Sequence, residues 1–190
     1  MLMHQGIGRD TFNQMPDTRA VHALYECCGS VTWARKVAAT RPFADHDALF
    51  RCADNELFAL SEESLNEMLT AYPPLGKRPG SVRSHAEQCA IRDETPGMMA
   101  ALRAAAHRYE HHFGHRFVMH MCGQDGASVL RAISDRMHHD ADTERKVTRN
   151  ELAKINRTRL ERMLGPKAAT TTGDRGHDNA PLGSQRDSLR

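Results

Sequence analysis

Apolar residues along this chain recur at intervals of three and four far more often than at intervals of two, and this period predicts helices throughout. The clearest stretch opens at Thr95-Pro96, a capping hydroxyl followed by a proline suited to the first helical turn. It carries Met99, Leu102, Ala106, Tyr109 and Phe113 on one face and ends at Gly114. Ser61 caps another helix, with Glu62 and Glu63 in its first turn, Leu65, Met68 and Leu69 facing inward, and Pro73-Pro74 as its stop. Further helices are predicted over about residues 18–28, 30–39, 45–60, 83–93, 126–138 and 142–164. The apolar run Phe117-Val118-Met119-His120-Met121-Cys122 fits either a short buried strand or a helical start, since periodicity does not separate the two. The pattern therefore predicts an all-α, single-domain bundle of about seven to nine helices over residues 17–165. A flexible N-terminus is expected over 1–16, and the polar, aperiodic text over 166–190 is expected to be a disordered tail.

Composition narrows the function. With 26 Lys and Arg against 24 Asp and Glu, the net charge of +2 is far from the basic excess that phosphate-backbone binding requires, so nucleic acid is not an expected partner. Hydrophobic residues at 39% suffice for one core, and no apolar run approaches the ~20 residues of a membrane-spanning helix. The start, Met1-Leu2-Met3-His4-Gln5-Gly6, shows no basic or apolar leader character, and a cytoplasmic chain is expected. Five cysteines with no paired spacing suggest reduced, mostly buried thiols.

Several positions could carry chemistry. Thr148, Leu152, Ile155, Arg159 and Met163 share one stripe of the last helix, so Arg159 occupies a place where an apolar residue is expected. A guanidinium there needs a carboxylate partner, an anionic ligand, or an edge position from which it snorkels to water. Ser84, Glu87, Gln88 and Ile91 line one side of their helix, a face that could orient a small polar ligand, although Ser84 and Glu87 also fit a capping box. The stretch Tyr72-Pro73-Pro74-Leu75-Gly76-Lys77-Arg78 makes a stiff connection suited to holding a reacting group, and equally an ordinary helix link. His107 and His111 lie one turn apart, with His112, His115 and His120 nearby. A metal-dependent helical hydrolase would need further ligands that no HExxH or paired-cysteine motif supplies, so no metal site is expected. Nucleotide loops and the serine-hydrolase elbow are also missing from the sequence.

Taken in order, Leu24-Tyr25-Glu26-Cys27-Cys28, Trp33, Arg41-Pro42-Phe43, the Tyr72–Arg78 stretch, Ser84-His85-Ala86-Glu87-Gln88, Phe113-Gly114-His115-Arg116-Phe117-Val118 and Ile155-Asn156-Arg157-Thr158-Arg159-Leu160 resemble the 2-oxo-4-hydroxy-4-carboxy-5-ureidoimidazoline (OHCU) decarboxylases of urate breakdown. The resemblance implies an all-helical, homodimeric, cofactor-independent carboxy-lyase that forms (S)-allantoin. No cofactor is required in principle, because the conjugated imidazoline ring can itself take up the electron pair released with carbon dioxide. By matched positions it implies that Arg159 holds a substrate anion or carbonyl oxygen and that Glu87 accepts from substrate N–H groups, with Ser84, Gln88 and Pro73 lining the site. It also implies ligand contacts from the backbone N–H groups of Phe117, Val118 and Met119. The family's active enzymes carry a histidine as acid/base group where this chain has Tyr72, and a phenol (pKa ~10) is a far poorer base at neutral pH than an imidazole (~6.5). Tyr72 is thus expected as the proton donor, with His85 or His115 as possible substitutes. The alternative is a non-catalytic or substrate-shifted paralogue that keeps the fold and the pocket.

Overall fold

The computed structural model of the chain describes residues 6–75 and 94–166, and within them every element is a helix. These are α1 (Arg9–Gln14), α2 (Asp17–Cys28), α3 (Val31–Ala39), α4 (His46–Phe58), α5 (Glu62–Ala71), α6 (Pro96–Phe113), α7 (Gly126–Arg136) and α8 (Ala141–Leu164). Six of them begin where a short polar side chain can accept from the first free N–H groups. Ser30 accepts from Trp33, Asp45 from Ala48, Ser61 from Ser64, Thr95 from Met98, Asp125 from Ser128 and Asp140 from Thr143. The predicted helix over 83–93 and the tail after residue 166 lie outside the described residues. Among the described residues no helix is long and apolar enough to cross a membrane.

The helices enclose two apolar clusters. The first gathers Leu24, Trp33, Leu49, Leu57, Leu65, Met68, Leu152 and Leu160 from α2, α3, α4, α5 and α8. Trp33 lies at its centre, and its indole N–H donates to the Ala53 carbonyl at 2.8 Å. The second cluster joins Leu102, Ala106 and Tyr109 of α6 to Val129 and Ile133 of α7, with Leu75 and Phe117. The inward faces read from α5 and α6 are the buried ones: Leu65, Met68, Leu69, Leu102, Ala106 and Tyr109 are all buried. The 24-residue α8, roughly 36 Å long, passes from one cluster to the other.

Two expectations need correction. Residues 1–16 were expected to be a flexible arm, yet residues 9–14 form α1, and Phe12 is fully buried against Phe43. The Ile7 and Gly8 N–H groups donate to the Met163 and Leu164 carbonyls at 2.8 and 2.9 Å, pairing acceptors that the end of α8 leaves open. The two backbones meet so closely that a Cβ on Gly6 would fall 2.1 Å from the Gly165 nitrogen. Arg41, which donates to the Phe12 and Met15 carbonyls at 2.8 and 2.6 Å, holds the other end of α1. The second correction concerns the run Phe117–Met121, which is neither strand nor helix. Its backbone is held by side chains, as the site geometry makes clear.

Candidate active site

Three elements meet where α5 ends. Pro73 and Pro74 stop α5, so Tyr72 leaves the helix in extended conformation (φ −77°, ψ 136°) and turns its ring inward, where it is 7% exposed. Its hydroxyl donates to Asn156 Oδ1 of α8 at 3.3 Å. One turn further along α8, the Arg159 guanidinium lies 4.8 Å from the Tyr72 ring centroid, a cation on an aromatic face. Arg159 Nη1 also donates to the Cys27 carbonyl at 2.8 Å, near the C-terminal end of α2, where the helix dipole favours positive charge. Both Tyr72 and Arg159 are engaged beyond these contacts. Arg159 thus resolves as neither a buried ion nor a solvent-facing one. It is half-buried, held by a carbonyl and a ring.

The Phe117–Met119 segment lies alongside. Arg116 Nη1 donates to the Thr70 carbonyl at 2.8 Å and to the Tyr72 carbonyl, tying the segment to the end of α5. Val118 packs in the same cluster as Tyr72 and Ile155, while Phe117 and Met119 pack in the other. Glu151 Oε2 accepts from the His120 N–H at 2.7 Å, and the His120 ring meets Thr158 Oγ1 at 3.0 Å. No acceptor among the described residues pairs with the N–H groups of Phe117, Val118 or Met119.

A buried polar network holds that segment in place. Arg136 Nη1 donates to the Val118 carbonyl at 2.8 Å, and its guanidinium stacks 4.6 Å from the Phe117 ring centroid and 5.5 Å from that of Tyr109. Its Nε and Nη2 donate to Glu144, and Nη2 also reaches the Tyr109 hydroxyl and Thr148 Oγ1; Glu144 is fully buried and also receives the Tyr109 hydroxyl and His139 Nδ1. Burial by itself pushes the Glu144 carboxyl up, but hydrogen bonds from Arg136 and Tyr109 and the charge of Arg136 outweigh it, holding Glu144 below the ordinary range. Burial raises the Tyr109 phenol, so it stays a donor. The His115 imidazole, edge-on to Tyr109 at 5.6 Å, is lowered chiefly by burial. Burial also pushes the Cys28 thiol, beside Ser30, up to about 12, so it is no nucleophile.

Of the residues singled out from sequence, Tyr72 and Arg159 meet directly, Val118 packs in the same cluster as Tyr72, Phe117 and Met119 pack in the other, and Pro73 follows Tyr72 in the chain. Ser84, Glu87, Gln88 and His85 lie outside the described residues. His107, His111 and His112 are exposed on the outer side of α6. Among the described residues no three His, Cys, Asp or Glu side chains gather as metal ligands would. Sequence reasoning missed Asn156, although a signal was present: it stands four residues from both Leu152 and Leu160, a polar residue on a buried stripe. Asn156 is 2% exposed, and among the described residues its Nδ2 has no hydrogen-bond partner. The Arg136–Glu144 pair was missed as well, since an arginine and a glutamate eight residues apart read as surface.

Comparison with known proteins bears on this geometry. The family model of OHCU decarboxylase matches residues 13–161. The chain is 25% identical over 165 residues to the 2-oxo-4-hydroxy-4-carboxy-5-ureidoimidazoline decarboxylase of Halalkalicoccus jeotgali, covering 85% of this chain and 94% of that protein. It is 26% identical over 152 residues to the protein of the same name from Haloferax volcanii, covering 78% and 90%. The fold superposes with a TM-score of 0.67 on a crystal structure of OHCU decarboxylase in the presence of (S)-allantoin, at 21% identity over 79% of this chain and 99% of that one. The matched span runs from α1 to the last turns of α8 and contains every described residue of the Tyr72, Phe117–Met119 and Arg159 junction, so this chain belongs to the OHCU decarboxylase family.

Proposed function

We propose that this chain is a carboxy-lyase that decarboxylates 2-oxo-4-hydroxy-4-carboxy-5-ureidoimidazoline to (S)-allantoin in urate degradation. The observation that carries the reading is the family match across residues 13–161. The chemistry asks little of the protein. The bond to the carboxylate breaks, carbon dioxide leaves, the conjugated imidazoline ring takes up the electron pair, and a proton arrives at one face of the ring. Placement, charge complementarity and control of that face are what the site must supply.

The geometry supports a division of labour. Arg159, held by the Cys27 carbonyl and the Tyr72 ring, offers positive charge to a substrate anion or carbonyl oxygen. The N–H groups of Phe117, Val118 and Met119, which pair with no acceptor among the described residues, are donors for substrate oxygens, and Pro73 stiffens the wall beside Tyr72. Tyr72 is the proton donor at neutral pH, since a phenol is protonated there. Glu87, with Ser84 and Gln88, accepts from the ureido and ring N–H groups. The reaction needs no cofactor or metal, the enzyme works as a homodimer in the cytoplasm, and it binds neither nucleic acid nor membrane. Static light scattering tests the dimer.

One observation favours a second reading. Tyr72 is buried, its hydroxyl is bonded to Asn156 and its ring is covered by Arg159, an arrangement that also suits a non-catalytic or substrate-shifted paralogue. The two readings separate in one assay: (S)-allantoin formation followed by circular dichroism from freshly generated substrate, with spontaneous decay as baseline. Turnover by the wild type that Glu87→Ala abolishes is the expected result. Wild type at baseline refutes decarboxylation of this substrate, and activity gained in Tyr72→His would then identify a lapsed enzyme.

A further inference from the structure

We infer that Asn156 is a further substrate-binding residue, whose side-chain amide donates from Nδ2 to an oxygen of the ligand while its Oδ1 fixes the Tyr72 hydroxyl. The inference rests on the proposed decarboxylase site and extends it. Asn156 lies on α8 between Leu152 and Leu160, is 2% exposed, and has one half of its amide satisfied by Tyr72 at 3.3 Å. The other half, Nδ2 with two N–H donors, has no partner among the described residues. Buried polar groups are nearly always paired, and an orphaned one calls for an explanation. A solely structural role accounts for Oδ1, which accepts from Tyr72, and leaves the buried Nδ2 unexplained.

Position supplies the explanation. Arg159 is three residues further along the same helix and so projects to the same side as Asn156. Tyr72 touches both, with its hydroxyl on Asn156 and its ring under Arg159. The result is a cluster of donors with a cation, matched to oxygen-rich, anionic molecules. Since Oδ1 is occupied by Tyr72, the amide faces a ligand as a donor, selecting a carbonyl or carboxylate oxygen over an N–H group. Oδ1 holds the Tyr72 hydroxyl in place until its proton passes to the substrate, so the pair behaves as one positioned unit.

The test uses full-length Asn156→Leu, which matches the asparagine in shape, and Asn156→Asp, which keeps an oxygen for Tyr72 but replaces the donors by an acceptor. Three quantities are read: the melting temperature, the KM and kcat for freshly generated ureidoimidazoline, and the Kd for (S)-allantoin by calorimetry. The expected result is a melting temperature in Asn156→Leu close to that of the wild type, since relief of the unpaired Nδ2 offsets loss of the acceptor for the Tyr72 hydroxyl, together with ligand affinity weakened at least about tenfold in both variants. If KM rises while allantoin affinity holds, the oxygen is the carboxylate lost in the reaction. If both weaken, it is a carbonyl that the product retains. Unchanged KM and Kd in Asn156→Leu would overturn the assignment, and so would a large loss of melting temperature in both variants, which marks the amide as structural. Wild type that turns over no substrate overturns the decarboxylase reading alone, and the allantoin titration then decides Asn156. Wild type that neither turns over substrate nor binds allantoin overturns both.

Discussion

Replacing Arg136 by methionine tests whether the buried network is what holds the Phe117–Met119 segment. Arg136 is 6% exposed and its partner Glu144 is fully buried, so the substitution strands a carboxylate away from water. Breaking a buried pair from one side costs about 3–5 kcal/mol. Glu144 would retain the Tyr109 hydroxyl, Thr148 Oγ1 at 3.4 Å and His139 Nδ1 at 2.8 Å, which places the electrostatic loss near the lower end of that range. The Val118 carbonyl would also lose its 2.8 Å donor, at a further cost of about 1–3 kcal/mol. A total near 4–5 kcal/mol, roughly 8–20 °C in Tm for a domain of this size, should appear in urea unfolding followed by far-ultraviolet circular dichroism at pH 7. The double variant Arg136→Met with Glu144→Leu removes both charges and should recover at least about 2 kcal/mol relative to the sum of the single effects. A loss under about 1 kcal/mol in Arg136→Met, or strict additivity in the double variant, would refute the view that this pair organises the second cluster.

Three other outcomes follow from particular contacts. Because the folded state holds the Glu144 carboxyl below its ordinary value, its contribution to stability is complete above that value (~4.3) and lost as pH falls through the folded one. Melting temperature should therefore fall more steeply with acid in the wild type than in the Arg136→Met and Glu144→Leu double variant, and parallel curves would contradict this. With the Cys28 thiol pushed up to about 12 and Cys27 also buried, a chromogenic disulfide reagent at pH 8 should modify exposed Cys122 quickly and Cys27 and Cys28 only after denaturation. Comparison with Cys122→Ser assigns the fast phase. Gly97→Ala, where an added Cβ meets nothing within 4 Å, should stabilise α6 by about 0.5–1 kcal/mol. Gly126→Ala brings the Cβ to 2.8 Å from Glu94 Oε1, the acceptor for the Gly126 N–H, and should destabilise by about 1–3 kcal/mol. Thermal unfolding of the two variants reads the difference in sign.

Local signals made the helices legible. Ser61, Thr95-Pro96 and Gly114 mark boundaries through groups only a few residues away, and the apolar faces of α5 and α6 follow from spacing alone. Non-local contacts were hidden for physical reasons. The six residues of α1 are too few to show a helical period, and Phe12 is ordered by Phe43 and Arg41, about thirty positions away. The Phe117–Met121 run was ambiguous because its carbonyl and N–H partners are the side chains of Arg136 and Glu151, which no periodicity reports. At the site, Arg159 was visible as a cation on an apolar stripe, and one of its supports, the Tyr72 ring, lay in a stretch already suspected of holding a reacting group. Asn156 was passed over because a single amide on a helix is common, and only its burial and its unpaired nitrogen give it meaning.

The course of α8 links stability to the site. Its first half carries Glu144 and Thr148, fully buried, to Arg136 and Tyr109 beside the second cluster. Its second half places Leu152, Ile155 and Leu160 in the first cluster, with Asn156 and Arg159 among them. Through Arg136, the same network grips the Val118 carbonyl, while Glu151 and Thr158 hold His120, so the segment is anchored to the helix that carries the amide and the guanidinium. A shift of α8 along its axis would thus move Asn156 and Arg159 while straining the bond from Arg136 to Val118. Closely packed interiors resist such sliding, because every displaced side chain loses contacts on one side. Glu144, twelve residues and just over three turns before Asn156, has no contact to it among the described residues, and it steadies the Val118 carbonyl through Arg136.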